Sequence, residues 1–120
     1  MEIEPDKWSV VTLGVMSLEA IQRLYQPESL YRVIWNKYPP NTEFVGWSQA
    51  RRLYLISGSC VISVAEHSWH LSASEFSDLP KGDYHFFVLS DTQVELVSVW
   101  KISESADNAL TILSDTAFLC

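Results

Sequence analysis

The stretch "LSASEFSDLPKGDYHFFVLS", Leu71 to Ser90, restricts this chain more than any other part of it. Pro80 and Gly82 interrupt two strand-like runs, and His85 follows the break at a fixed spacing. Proline fixes φ and glycine accepts conformations that other residues resist, so the pair marks a tight corner between strands. Upstream, "LYRVIWNKY" from Leu30 is rich in β-branched and aromatic residues and ends in the turn residues "PPNT", Pro39 to Thr42. "RRLYLISGSCVISVA" is a second strand-rich run, in which Gly58 predicts a turn, a bulge or a close backbone approach. "EHS" separates it from "WHLSASEF", and a short "DT" turn separates "YHFFVLS" from "QVELVSVWKI". Short strands at this spacing predict an all-β core from about residue 30 to 102.

At 120 residues the chain has the length of one domain, and 1–120 is expected to fold as a unit. An N-terminal segment, 1–29, precedes the β core, and a tail, 103–120, follows it. In the first, "SLEAIQRLY" places Leu18, Ile21 and Leu24 at helical spacing, with Ser17 as N-cap and Pro27 past the end. "WSVVTLGVM" before it reads as an exposed strand. The tail fits either a helix capped by Ser103, carrying Leu110 and Leu113, or a further strand through "ALTIL".

Fifteen acidic residues against eight basic ones give a net charge of -7, which argues against nucleic acid and membrane as partners. No apolar run reaches the roughly 18 residues of a spanning helix, and the acidic "MEIEPDKWSV" is unlike a signal peptide. Cys60 and Cys120 have neither metal-ligand spacing nor a secreted context, so they read as a buried thiol and a tail thiol of a cytoplasmic protein.

The strand spacing and the P-x-G-x-x-H break resemble the cupins, in particular the small single-domain, RmlC-like ones. The resemblance runs from Tyr38 to about Trp100. It implies a double-stranded β-helix, a jelly-roll barrel, here with a short N-terminal helix. The family's second sequence box is G, five residues, P-x-G-x-x-H, three residues, N. Pro80, Gly82 and His85 match it, while Ser74 stands for the opening glycine and Leu89 for the asparagine. Its first box is G, five residues, H-x-H, three or four residues, E, six residues, G. Counting back from Gly58 puts Arg51 at the metal-binding glutamate; counting forward from Asn41 puts Trp47 and Gln49 at the histidine pair. In either register no His, Asp, Glu or Cys occupies a ligand position. The resemblance therefore implies a degenerate metal site, no metal and no other cofactor. It also implies a homodimer, with the "WSVVTLGVM" strand available for pairing between subunits.

A metal-free barrel has three function classes open to it. The first binds a small molecule, anionic or neutral, in its interior. Arg51, if it points inward with Leu53 and Leu55, would hold a carboxylate or phosphate, and His85, placed inside the barrel by the resemblance, would donate a hydrogen bond or move a proton. Trp47, Gln49 and Tyr54 complete the expected ligand-binding set, and Tyr54 or Tyr84 would serve as the acid of an epimerase-like reaction. The alternative for Arg51 and Arg52 is pairing with carboxylates such as Glu75 or Asp78, or, if the strand begins later, a place in solvent for both. Trp35, Tyr38, Phe86 and Phe87 join the aromatics that either line a pocket or fill the core. The second class is a protein-interaction module with an acidic surface, and the third a metal-dependent dioxygenase or decarboxylase. His67 and His70, beside a predicted hairpin tip, read as surface residues.

Overall fold

A computed structural model of the chain describes residues 3–89 and 91–102. The predicted alternatives for the 103–120 tail lie outside the described residues. Among the described residues, nine strands form two antiparallel sheets: β1 (Asp6–Lys7), β2 (Tyr31–Tyr38), β3 (Glu43–Ser48), β4 (Arg51–Ser57), β5 (Ser59–Val64), β6 (His67–Ser72), β7 (Glu75–Leu79), β8 (Gly82–Val88) and β9 (Val94–Lys101). One sheet has the order β1-β7-β4-β9-β2 and the other β3-β8-β5-β6. The chain passes from one sheet to the other at nearly every connection, as a jelly roll requires; the β5–β6 hairpin, turning at Ala65 and Glu66, stays within one.

The corners explain the punctuation of the sequence. Asn41 (φ 66°), Gly58 (φ 89°), Ser74 (φ 68°) and Gly82 (φ 141°) each sit where the chain changes sheets, and each has a positive φ. Gly58, Ser74 and Gly82 are glycine positions of the two sequence boxes, and Asn41 opens the first box in one of its two registers. Asn and Ser thus hold two of the four corners, in a backbone conformation that short polar side chains tolerate best.

Period-two alternation then divides the apolar residues between two cores. Between the sheets lie Leu53 and Leu55 of β4, Ile62 of β5, Leu79 of β7, Phe86 and Val88 of β8, and Val94 and Leu96 of β9. The other face of β4 and β9, with Tyr54, Val97 and Val99, is covered by the N-terminal segment through Trp8, Met16, Ala20 and Ile21. That segment contains the expected helix, α2 (Leu18–Arg23), preceded by a one-turn helix α1 (Val10–Leu13). The Ser17 side chain accepts from the Ala20 N–H at 3.1 Å, as an N-cap does.

The strand expected over "WSVVTLGVM" is not formed. Ser9 caps α1 by accepting from the Thr12 N–H, Gly14 (φ 76°) ends it, and Trp8 Nε1 donates to the Gly14 carbonyl at 2.8 Å. Local capping overrides the β-branched composition of four residues. Subunit pairing through a strand at this place loses its structural basis.

Candidate binding site in the barrel

A cavity of about 500 Å³ opens between the two sheets. Its inner wall is apolar and buried: Leu53, Leu79 and Leu96 come from one sheet, Ile62 and Phe86 from the other. Toward its mouth stand Ile34, Asn36 and Tyr38 of β2, on the face opposite the exposed Trp35 and Lys37. Four aromatic rings meet along one side. Tyr38 lies 5.6 Å from Phe44 and 5.2 Å from Phe86, and Phe44 lies 5.0 Å from Phe86 and 6.0 Å from Tyr84, centroid to centroid.

Arg51 lines this cavity. It shares the inward face of β4 with Leu53 and Leu55, as the period-two reading requires. Its guanidinium carbon stacks 4.0 Å over the ring of Trp100, Nε reaches the Gln49 carbonyl at 3.5 Å, and Nη1 reaches Ser98 Oγ at 3.5 Å. Trp100 is buried, and its Nε1 has no hydrogen-bond partner among the described residues. Ser48 and Ser98, both buried, add hydroxyls to the lining. Burial pushes the phenols of Tyr38 and Tyr84 above their ordinary pKa, and Arg51 opposes the shift in each. At neutral pH both are hydrogen-bond donors and neither is a base.

Arg52, one residue on, faces the other way. It binds both carboxylate oxygens of Asp78, at 2.8 and 3.3 Å. Of the carboxylate pairings considered for the two arginines, Arg52 with Asp78 is formed.

Three of the remaining sequence candidates lie elsewhere. His85 points out of the barrel, because β8 turns Tyr84, Phe86 and Val88 inward and leaves the odd positions outside; Nε2 hydrogen-bonds Glu43 Oε2 at 2.6 Å across the strands. The P-x-G-x-x-H spacing is present, but the parity of the strand puts Tyr84 and Phe86 where an inward ligand would be. Trp47 is likewise on the outer face of β3, 41% exposed, with Lys81 Nζ 6.0 Å from its ring. Tyr54 is buried beneath the N-terminal segment, hydrogen-bonded to Tyr25 and edge-on to Trp8. Gln49 sits in the β3–β4 turn and offers its carbonyl to Arg51 and to Ser48 Oγ. Of the wider aromatic set, Tyr38, Tyr84 and Phe86 line the cavity; Phe44, Asn36, Ser48 and Ser98 were missed. Extending the alternation from Tyr38 back to Asn36 and from Leu96 on to Ser98 would have found two of them.

The geometry selects between the two registers of the first box. Inward positions on β3 are Phe44, Gly46 and Ser48, so the count from Gly58 holds, and Phe44 and Gly46 occupy the places of the histidine pair. Tyr84 has taken the second place. An ideal Cβ on Gly46 would lie 3.2 Å from Tyr84 Oη and 3.3 Å from its ring, so the glycine lets the phenol lie over the backbone. Phe44, Gly46 and Arg51 do not fit a divalent cation, and no group of three His, Cys, Asp or Glu among the described residues does.

The chain resembles solved cupin structures. It matches the cupin domain of Cnp3 from Schizosaccharomyces pombe with a TM-score of 0.54 and 14% identity, over 62% of this chain and 55% of that one. A cupin protein from Bacteroides fragilis matches with a TM-score of 0.52 and 18% identity, over 64% and 69%. A cupin superfamily protein from Desulfitobacterium hafniense matches with a TM-score of 0.55 and 7% identity, over 85% and 79%. This chain has the cupin fold. It spans about half the length of the Cnp3 domain chain, and at these identities the likeness to other cupins concerns the fold alone. No protein-family model and no curated protein matches the sequence. Among the described residues, no helix of this cupin barrel is long and apolar enough to cross a membrane.

Proposed function

We propose that this cupin barrel binds a small anionic molecule in its interior, with Arg51 receiving the negative charge. The observation that carries the reading is the placement of a guanidinium, stacked on Trp100, in the wall of a largely apolar cavity of about 500 Å³. That volume is in the range of small-molecule sites, roughly 300–1,000 Å³. Around Arg51 the lining supplies donors, the phenols of Tyr38 and Tyr84 and the amide of Asn36, and no carboxylate among the described residues. Such a lining favours an anion over a cation.

Binding is favoured over catalysis by the absence of a proton acceptor among the described lining residues. The epimerase-like scheme needs a histidine base in the barrel, and His85 is outside it. A free thiol at Cys60 is compatible with a cytoplasmic location. A second reading, an interaction module or homodimer, is favoured by one observation: the outer face of the β3-β8-β5-β6 sheet exposes Val45 (75%) and Trp47 (41%).

Arg51→Gln tests the first reading. Small carboxylates and phosphate that raise the melting temperature of the parent should lose that effect, with at least a tenfold fall in affinity, as expected for removing a charge-assisted contact of about 1.5–3 kcal/mol. Equal stabilisation of parent and variant would return Arg51 to a structural role.

A further inference from the structure

We propose a further site, independent of the barrel cavity and on the opposite face of its sheet, where Tyr25 and Tyr31 receive a trimethylammonium group. Gln22, Tyr25, Glu28 and Tyr31 recur at every third position of the sequence, and with Val33 they line one recess of about 280 Å³.

Two short turns gather these residues. The Tyr25 N–H donates to the Gln22 carbonyl at 3.1 Å as α2 ends, and a 3₁₀ turn, Glu28–Leu30, closes with the Tyr31 N–H donating to the Glu28 carbonyl. Tyr31 and Val33 then lie on the outer face of β2, against the N-terminal segment, while Ile34 faces the barrel. The Tyr25 and Tyr31 ring centroids are 5.1 Å apart with planes at 68°, so the rings form a corner and not a stack. Tyr25 is fixed from behind. Its hydroxyl is hydrogen-bonded to that of the buried Tyr54, and the two rings meet edge-on at 6.2 Å, so binding does not have to order it.

The same face of the sheet shows what such a corner attracts. Lys37 Nζ lies 5.1 Å from the centroid of the Trp35 ring, whose Nε1 donates to Glu95 at 2.7 Å. The Arg52 guanidinium carbon lies 5.2 Å from the Phe76 centroid while the group binds Asp78 at 2.8 and 3.3 Å. Each place combines a ring, a carboxylate and a cation from the chain itself. Tyr25, Tyr31 and Glu28 supply two rings and a carboxylate, and among the described residues no lysine or arginine lies over either ring. A cation within about 6 Å of a ring centroid is attracted to the ring face, and a net charge of -7 adds attraction at longer range.

The methyl groups follow from hydration. A primary ammonium carries three donors that water serves well, and Lys101, opposite Tyr31 across the β2–β9 ladder, is exposed and lies over neither ring. A trimethylammonium group has no N–H to satisfy, and its methyls bury apolar surface against the two rings and Val33.

Titration of the full chain, followed by chemical-shift changes, tests the site with choline, its uncharged isostere 3,3-dimethylbutan-1-ol, acetyl-trimethyllysine amide and acetyl-lysine amide. Choline or the trimethyllysine derivative is expected to bind at millimolar concentration, and choline at least about tenfold tighter than its isostere. Failure of both cations to bind, or parity between choline and the isostere, overturns the proposal. The trimethyllysine derivative should bind severalfold tighter than the lysine derivative, and parity there overturns the methylated class. Either order of choline and trimethyllysine supports the site, the tighter one naming its source as a free small cation or a modified protein side chain. Tyr31→Leu should weaken choline at least about fivefold, whereas Tyr31→Phe, which keeps the ring, should stay within about twofold of the parent. Glu28→Gln, at an exposed position, should weaken it about two- to fivefold, as for loss of an exposed charge contact. Choline affinity unchanged in Tyr31→Leu and Glu28→Gln would place the cation elsewhere on the acidic surface and overturn the proposal; if Tyr31→Leu does not fold, Glu28→Gln decides alone.

Discussion

Gly58 and Gly82 both turn the chain from one sheet to the other with positive φ, yet an added side chain would meet different surroundings at each. At Gly58 an ideal Cβ would lie 2.4 Å from the Gln93 carbonyl oxygen, a backbone atom that cannot swing aside. At Gly82 nothing lies within 4 Å. Gly82→Ala should therefore cost only the backbone strain, about 1–3 kcal/mol. Gly58→Ala should cost that strain plus an overpacking penalty of about 1–3 kcal/mol. Urea denaturation at unchanged slope measures both, and equal midpoints for the two variants would show that the Gly58 corner can open to relieve the contact. Ser74 and Asn41 make the complementary point. Their left-handed conformations show that a sheet-changing corner can be made without glycine, and a search for glycines alone would pass over two of these four corners. Gly58, Pro80 and Gly82 were legible because punctuation residues declare a turn whatever surrounds them. The outward direction of His85 was not, because which side of a strand faces in is decided by the whole set of apolar neighbours.

At the scale of elements, the N-terminal segment and the cavity lie on opposite faces of one sheet, since neighbouring residues of β4 and β9 point to opposite sides. Ile21 is fully buried among Trp8, Tyr54, Val97 and Val99, and Leu53, Leu96 and Ser98 face the cavity. Ile21→Ala should destabilise the fold by about 2–5 kcal/mol through the cavity it leaves. Below the melting transition it should leave anion affinity unchanged. Thermal melts and ligand titration on the same sample separate the two effects, and an equal loss of stability and affinity would show that the two faces are coupled. The helix from Leu18 was readable because its cap, spacing and terminating proline all agreed. Val10–Leu13 was misread because β-branched composition carries less weight than a serine cap and a closing glycine when only four residues are at stake. β3 carries the register of the first sequence box. Its short alternation, Phe44, Gly46 and Ser48 inward and Val45 and Trp47 outward, shows why counting from Asn41 favoured the wrong side chains.

For the molecule as a whole, a net charge of -7 stands against a site proposed to attract anions, and salt separates the two influences. Long-range repulsion between an approaching carboxylate and the acidic chain acts through solvent, and raising the salt from about 10 mM to about 150 mM shortens its reach from about 30 Å to about 8 Å. The contact with Arg51 acts across a few ångströms between low-dielectric walls, where mobile ions screen it much less. An interior site should therefore hold its affinity for a small carboxylate within about twofold over that range, or gain from it as the repulsion is screened. An anion bound by surface lysines would respond in the opposite sense, with dissociation constants rising severalfold as salt competes. Titrations at the two salt concentrations discriminate directly. Weakening with salt would move the anion from the barrel to the surface, while a flat or opposite dependence would place the charge contact inside a cavity that the acidic exterior does nothing to create.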